Sequence, residues 1–372
     1  MRDQRDALKA RIHAFFEACG ASLEVRRDEE RDALLSEVAR FQFAHVRPFR
    51  KLALARHAVF DEGPKGWPAL PTDVFRYAHV SAFEESEWTR VFRTSGTTSG
   101  SRGMHPFVSL DLYDHGARLA AEHALLAPKG TPLDFVILAF SPESHRDSSL
   151  SHMLESFATR AVRDHGARVT WALDEQEVNV AALDQALSRA AREGRPVALL
   201  GTSFAFVFAE DALEARSLRF ALPAGSRLMF TGGFKGLSRE VEPEALRALL
   251  SARYGVLPTH IVSEYGMTEL SSQLYGRSLL TLRQETPERL WAPPWMRITA
   301  VDPSTLVELP EGDVGILRID DLANLDSCIS IQTSDFGRVF ADSSVSLLGR
   351  DPTSIPRGCS LAIEEALASR KA

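Results

Sequence analysis

Apolar residues over the first ~60 positions recur at three- and four-residue intervals, which puts them on one face of a helix. Leu8, Ile12, Phe15 and Phe16 make one such stripe, and Leu34, Leu35, Val38 and Phe41 make a second. Gly63-Pro64, Trp67-Pro68 and Leu70-Pro71 then break the pattern and predict a loop. Further on, the texture alternates. Phe135–Phe140, Val197–Leu200, Arg227–Phe230 and Thr259–Val262 are short, mostly apolar runs of the kind that form strands buried on both faces. Val178–Arg192 and Glu244–Tyr254 carry helical spacing instead, with Gly194 and Gly255 placed to end them. Strands alternating with helices of this length predict parallel α/β layering. After Pro293-Pro294 the chain changes to short strands and turns, at Met296–Val301, Val314–Ile319, Val339–Phe340 and Val345–Leu348.

The expected organisation is therefore an α/β core with an N-terminal helical segment over 1–290 and a β-rich subdomain of that core over 291–348. A short C-terminal segment follows over 349–372. No internal repeat or low-complexity segment stands out.

Composition narrows the class. The 372 residues carry a net charge of −7, with a quarter of them charged, as in ordinary globular proteins. A mildly acidic chain without a basic stripe does not suit nucleic acid. No apolar run approaches the ~20 residues that span a bilayer. The charged start, MRDQRDALKARIHAFF, lacks a secretory signal's apolar block, and the ending SRKA carries no prenylation box. The expectation is a cytoplasmic enzyme. Three cysteines in a chain of this length exclude a disulfide scaffold.

Four segments carry candidate chemistry. Arg93 through Gly103, with Thr94, Ser95, Gly96, Thr97, Thr98 and Arg102, is rich in glycine and hydroxyls. Its glycines let backbone N–H groups approach an anion, and Arg102 adds a fork of donors. It lacks the Gly-Lys-Ser ending of a Walker loop, and the competing reading is a flexible linker. Ser263 through Glu269 follows a predicted strand, where ligands of open α/β sheets bind. Within it, Tyr265 offers a face for a base, Thr268 a donor to phosphate and Glu269 a ligand for Mg²⁺. Thr231-Gly232-Gly233-Phe234-Lys235-Gly236 ends another strand, its glycines open to a flat ligand and Lys235 a cation. Asp335, before Phe336-Gly337-Arg338, can accept from ribose hydroxyls, although an Asp before a turn is the commoner case.

Cys359, two residues after Arg357 and next to Gly358, has the nearby positive charge that favours a thiolate. Cys19 and Cys328 read as structural. Phe204, Phe206 and Phe208 follow an expected turn at Gly201-Thr202-Ser203, and read either as acyl-pocket lining or as core. Ser151-His152, near the end of an expected loop, can approach a carboxylate or be structural.

Taken in order, Thr94-Ser95-Gly96-Thr97-Thr98, Gly232-Gly233, Tyr265-Gly266-Met267-Thr268-Glu269, Asp335-Phe336-Gly337-Arg338 and Gly349-Arg350 resemble the adenylate-forming superfamily. Within it the chain is similar to the LuxE-type acyl-protein synthetases, in length, in Pro293-Pro294-Trp295 leading to Val301-Asp302-Pro303, and in Arg357-Gly358-Cys359-Ser360-Leu361. That resemblance implies the superfamily's N-terminal α/β core with the C-terminal lid truncated. It implies that ATP and Mg²⁺ activate a carboxylic, fatty acid to an acyl-adenylate, and that Cys359 then carries the acyl group.

Residue by residue, Thr94 to Arg102 would hold phosphates, and Gly232, Gly233 and Tyr265, beside Gly266, would frame adenine. Thr268 and Glu269 would serve phosphate and metal, Asp335 the ribose, and Arg350 the ribose or phosphates. Two departures stand out: Arg102 replaces the usual lysine, and the lid lysine has no counterpart, so Lys235, Arg102 or a partner subunit would supply that charge. An acyl reductase or other acceptor protein would take the acyl group, and an oligomer is compatible. The alternatives are a ligase releasing its adenylate to coenzyme A or an amine, and a nucleotide-binding scaffold subunit.

Overall fold

The computed structural model describes residues 1–20, 23–94, 102–126, 128, 130–174, 177–232, 241–285 and 287–350. The two apolar stripes wind into α1 (Arg2–Gly20) and α2 (Asp28–His45), followed by α3 (Arg47–Ala55). All eight stripe residues, from Leu8 to Phe41, are buried. Asp28, Glu29 and Glu30 place negative charge at the positive end of α2. Next come β1 (Leu70–Pro71), the short α4 (Val74–Tyr77), and a hairpin of β2 (Arg90–Arg93) and β3 (Met104–Phe107). That hairpin is a separate sheet of two strands.

The alternating region supplies α5 (Asp111–Ala124), β4 (Asp134–Leu138), α6 (Ser149–His165), β5 (Val169–Trp171) and α7 (Val180–Glu193). It continues through β6 (Val197–Thr202), α8 (Ser203–Glu214), β7 (Arg227–Thr231), α9 (Pro243–Tyr254) and β8 (Ile261–Tyr265). Then follow β9 (Leu274–Gly276), α10 (Ser278–Thr281) and β10 (Leu290–Trp291). The chain of strands ends with β11 (Met296–Val301), β12 (Val314–Asp321), β13 (Ser330–Val339) and β14 (Ser344–Arg350).

Among the described residues twelve strands form one sheet, ordered β11-β12-β13-β14-β10-β9-β8-β7-β6-β4-β5, with β1 beside β13. The run β8-β7-β6-β4-β5 is parallel, in keeping with its mostly apolar strands. From β9 to β11 the pairs are antiparallel. The β-rich stretch thus extends the parallel sheet through β10, and the position between 290 and 291 lies inside that strand.

Helix ends follow local chemistry. Ser148, Asn179 and Thr202 each accept a backbone N–H of the helix they start. Gly194 and Gly255 end α7 and α9 in the left-handed region, both at φ +67°. Two segments differ from expectation. Thr202 caps α8, so Gly201-Thr202 finishes a strand and the three phenylalanines start a helix, with Phe204 and Phe206 buried. Ser151-His152 likewise lies in the first turn of α6, drawn into helix by the Ser148 cap.

The N-terminal helices grip a distant turn after β12. Arg5 makes a buried two-bond contact with Asp326, at 2.8 and 2.6 Å. Gln42 donates to the carbonyls of Asn324 (2.8 Å) and Leu325 (3.0 Å) and accepts from the Ile329 N–H at 2.8 Å.

Candidate active site

The parallel strands β6, β7 and β8 deliver their carboxyl ends to one edge, where open α/β sheets bind ligands. Tyr265 closes β8. Its hydroxyl donates to Asp335 Oδ2 at 2.8 Å, and burial together with that carboxylate pushes the phenol well above its ordinary range. Arg350, opposite Asp335 in the β13–β14 register, donates from Nε to Oδ1 at 2.7 Å and from Nη2 to Oδ2 at 3.2 Å. Three residues from three predicted segments thus meet on one carboxylate.

A bulge aims that carboxylate. On β12 only Leu317 lies between the paired Ile316 and Arg318, while β13 fits Thr333, Ser334 and Asp335 between Gln332 and Phe336. Such insertions bend a strand and redirect its side chains. Here Thr333 Oγ1 stabilises the bulge, donating to the Leu317 carbonyl at 2.8 Å and accepting from the Asp335 N–H at 3.1 Å.

Glu269 is the fourth member. It is buried, and desolvation pushes its carboxyl up to about 7, helped by Asp335 and opposed by its own backbone N–H and Arg350. The turn that carries it is held from two sides. His105 Nδ1 lies 2.8 Å from the Thr268 carbonyl, and Asn324 Nδ2 donates to the Glu269 carbonyl at 2.9 Å. Asp321, raised by burial to about 6, accepts from the Ser271 N–H (3.1 Å) and the Ser272 hydroxyl (2.8 Å) just beyond. At Gly266 a Cβ would stand 2.7 Å from Glu264 Oε1, so any other residue there would push the Glu264 carboxyl aside. Glu264 itself is a buried carboxyl raised by desolvation to about 7, taking a hydrogen bond from the Thr231 hydroxyl.

The candidate phosphate loop connects β2 to β3, and the described residues at its two ends, Thr94 and Gly103, are closed onto each other. The Thr94 N–H donates to Gly103 O at 2.9 Å, and the Gly103 N–H to Thr94 Oγ1 at 2.8 Å. Arg102 sits across this closure. It donates to the Thr94 carbonyl (2.6 Å), the Arg93 carbonyl (3.3 Å) and Asp147 Oδ2 (2.6 Å). Asp147, on the loop after β4, also accepts the Arg93 N–H on its own carbonyl at 2.8 Å. At the end of β7, Gly232 holds φ +80°, and its carbonyl accepts from Ser203 Oγ at 2.6 Å. Ser95, Gly96, Thr97, Thr98, Gly233, Lys235 and Cys359 lie outside the described residues.

His105, Asn324, Asp321 and Asp147 escaped the sequence reading. Each acts through a backbone group or another side chain, and only Asp147 sits in a hydroxyl-rich run, among Ser144, Ser148 and Ser149. The acidic run Asp320-Asp321 inside an apolar strand was the available signal for one of them.

A large mixed sheet with these groups beside it has the fold of the adenylate-forming ligases. The open conformation of a 2-hydroxyisobutyryl-CoA ligase in complex with 2-HIB-AMP and CoA matches it with a TM-score of 0.63 at 15% identity, over 88% of this chain and 77% of that one. The same ligase in its postadenylation state, with R3-HIB-AMP, gives 0.64 at 15% identity, over 89% and 69%. These likenesses establish the fold.

The family is established by sequence. The acyl-protein synthetase LuxE family matches residues 22–368, and the chain belongs to that family of ligases. It is 20% identical over 320 residues to the long-chain-fatty-acid–luciferin-component ligase of Vibrio harveyi, covering 82% of this chain and 79% of that protein. Among the described residues, no helix is long and apolar enough to cross a membrane.

Proposed function

We propose that this chain uses ATP to activate a fatty carboxylic acid as its acyl-adenylate, carries the acyl group on Cys359 and passes it to an acceptor protein. The observation that supports this most is the Tyr265–Asp335–Arg350 cluster beside buried Glu269, in a chain of the acyl-protein synthetase family. Arg350 and Tyr265 fix the Asp335 carboxylate, yet Oδ1 takes only one of their bonds and keeps acceptor capacity for a ribose hydroxyl. Tyr265 and Gly232 flank the place for adenine. Thr268 and the loop hydroxyls of Ser95, Thr97 and Thr98 serve as donors to phosphate.

Mg²⁺ prefers oxygen ligands and is commonly held by one or two carboxylates together with substrate phosphates. Glu269 fits that mode, because it is a buried carboxyl whose ionised form lacks enough compensation and gains it from a cation. When bound there, the ion would neutralise phosphate charge. Arg102 is engaged with the Thr94 carbonyl and Asp147, which leaves Lys235 or a partner subunit to supply the charge of the missing lid lysine.

In the first step a carboxylate oxygen of the acid bonds to the α-phosphorus. The bond to the bridging oxygen breaks, and pyrophosphate leaves with the electron pair. Two anions must approach, so oriented donors and cations matter more than acid–base groups. In the second step the Cys359 thiolate bonds to the acyl carbon, the carbon–oxygen bond breaks and AMP departs. The thiol proton goes to solvent, and onward transfer exchanges the thioester for the acceptor's bond. Burial pushes the Cys19 thiol up to about 11 and the Cys328 thiol up to about 12, so neither competes as a thiolate.

The test is incubation with ATP, Mg²⁺ and a labelled fatty acid, followed by analysis of the intact protein. A hydroxylamine-sensitive adduct should form and be lost in Cys359→Ser, while acid-dependent pyrophosphate release persists. An adduct that survives Cys359→Ser overturns the cysteine step. Absence of acid-dependent pyrophosphate release from the unmodified protein overturns the activation itself.

A further inference from the structure

The phosphate-loop hairpin and the Thr268–Glu269 turn belong to different parts of the chain. The hairpin forms a sheet of its own, whereas the turn follows β8 of the main sheet. For the turn to hold a nucleotide in one geometry, something must fix it against the strands β2 and β3 beside it.

His105 stands where that link is needed. It lies on β3, paired with Phe92 of β2, and its side chain is buried. Nδ1 is 2.8 Å from the Thr268 carbonyl, and Nε2 is 2.7 Å from Ser327 Oγ. A carbonyl can only accept, so Nδ1 carries the proton and Nε2 accepts from the Ser327 hydroxyl. The ring is steadied by Phe75, edge-on at 5.7 Å between centroids, and by Phe107 at 4.2 Å. Desolvation pushes the imidazole down to about 4, so this single tautomer persists throughout the neutral range. Ser327 follows Asp326, the residue gripped by Arg5 of α1, so the far side of the ring also rests on a fixed support.

We propose that His105 is a positioning residue that locks the Thr268–Glu269 turn to strands β2 and β3, so that Mg²⁺–nucleotide meets that turn in a fixed geometry. This rests on the nucleotide reading above. A histidine that merely filled space would be replaceable by any residue of similar bulk. A positioning histidine must present an N–H at the Nδ1 place. Asn offers an amide N–H near Nδ1, whereas Gln places its amide near Nε2.

The experiment is calorimetric binding of ATP to the full chain, once with Mg²⁺ and once with EDTA, with thermal unfolding recorded for each variant. Loss of one buried hydrogen bond predicts that His105→Ala weakens Mg²⁺-dependent ATP binding by about tenfold. Binding in EDTA should change by about twofold or less, because Glu269 has no ion to hold there. His105→Asn should recover most of the loss, and His105→Gln should not. Ser327→Ala, which frees only the Nε2 side, should weaken Mg²⁺-dependent binding in the same direction but less, and it serves if His105→Ala does not fold.

The proposal is overturned if Asn and Gln variants bind alike, or if the Ala variants lose melting temperature but keep wild-type affinity. The two readings separate cleanly. A wild-type protein that binds ATP with Mg²⁺ yet releases no acid-dependent pyrophosphate refutes the activation reading and leaves the His105 comparison in force. A wild-type protein that binds no ATP refutes both.

Discussion

Glu269 carries a conflict within a single side chain. It is 4% exposed, and burial has raised its carboxyl to about 7, so the apo fold resists ionising it near neutrality. A group that must be charged to hold a cation is thus a strain on the empty protein, as is common where stability and activity compete. Glu269→Gln removes the charge and keeps the shape. At pH 8 it should raise the melting temperature of the apo protein while abolishing the extra stabilisation that Mg²⁺ gives to ATP-bound wild type; thermal unfolding with and without the ion reads both. An unchanged Mg²⁺ effect would free Glu269 from the metal. The residues with this chemistry stood out in the sequence because short polar motifs at strand ends announce themselves, and the fold brings Tyr265, Asp335 and Arg350 from three such motifs into contact. Arg102 is more instructive. Its guanidinium serves its own loop and Asp147, a geometry set by a contact across 45 positions that no local pattern encodes.

At the scale of elements, the site depends on parts remote from it. Gln42 on α2 makes three buried hydrogen bonds to the 324–329 turn, which in turn holds Glu269 through Asn324. Gln42→Leu leaves two carbonyls and one N–H without that partner, and should cost roughly 3 kcal/mol of stability at about 1–3 kcal/mol per buried group left unsatisfied. Chemical denaturation measures this, and a loss under about 1 kcal/mol would mean the turn re-pairs by itself. The helices and strands were readable because periodicity and capping residues are local: Gly194 and Gly255 end their helices as expected, and Met296–Val301 is a strand. What periodicity does not carry is the bulge at Thr333–Asp335, which looked like a turn before a glycine and is a distorted strand held by the Leu317 carbonyl. It also does not carry strand order, which makes one sheet of strands as distant in sequence as β4 and β11.

For the whole molecule, buried carboxyls should set the pH response. Glu264 and Glu269, each raised to about 7, and Asp321, raised to about 6, bind protons more tightly folded than unfolded. Their contribution is present at low pH and is lost as pH rises through the folded values. His13, His105 and His115 are shifted down by burial, so they oppose this trend, but only below the unfolded histidine value near 6.5. Between pH 6.5 and 8 the carboxyls act alone, and stability of the apo protein should fall. Denaturant midpoints across that range check it; a flat or rising profile would mean these groups ionise without penalty.

The clasp between Arg5 and Asp326 has a consequence for how the protein is made. Its partners are 321 positions apart. At about 5–20 residues per second, a ribosome needs roughly 16 to 64 seconds to add the second after the first. Through that interval Arg5 has Asp6 beside it and α1 can already pack on α2 and α5, but the Asp326 half of the clasp is missing. The nascent chain therefore closes this clasp only after β12 has been made, and a chaperone that holds the first helix has that window in which to act.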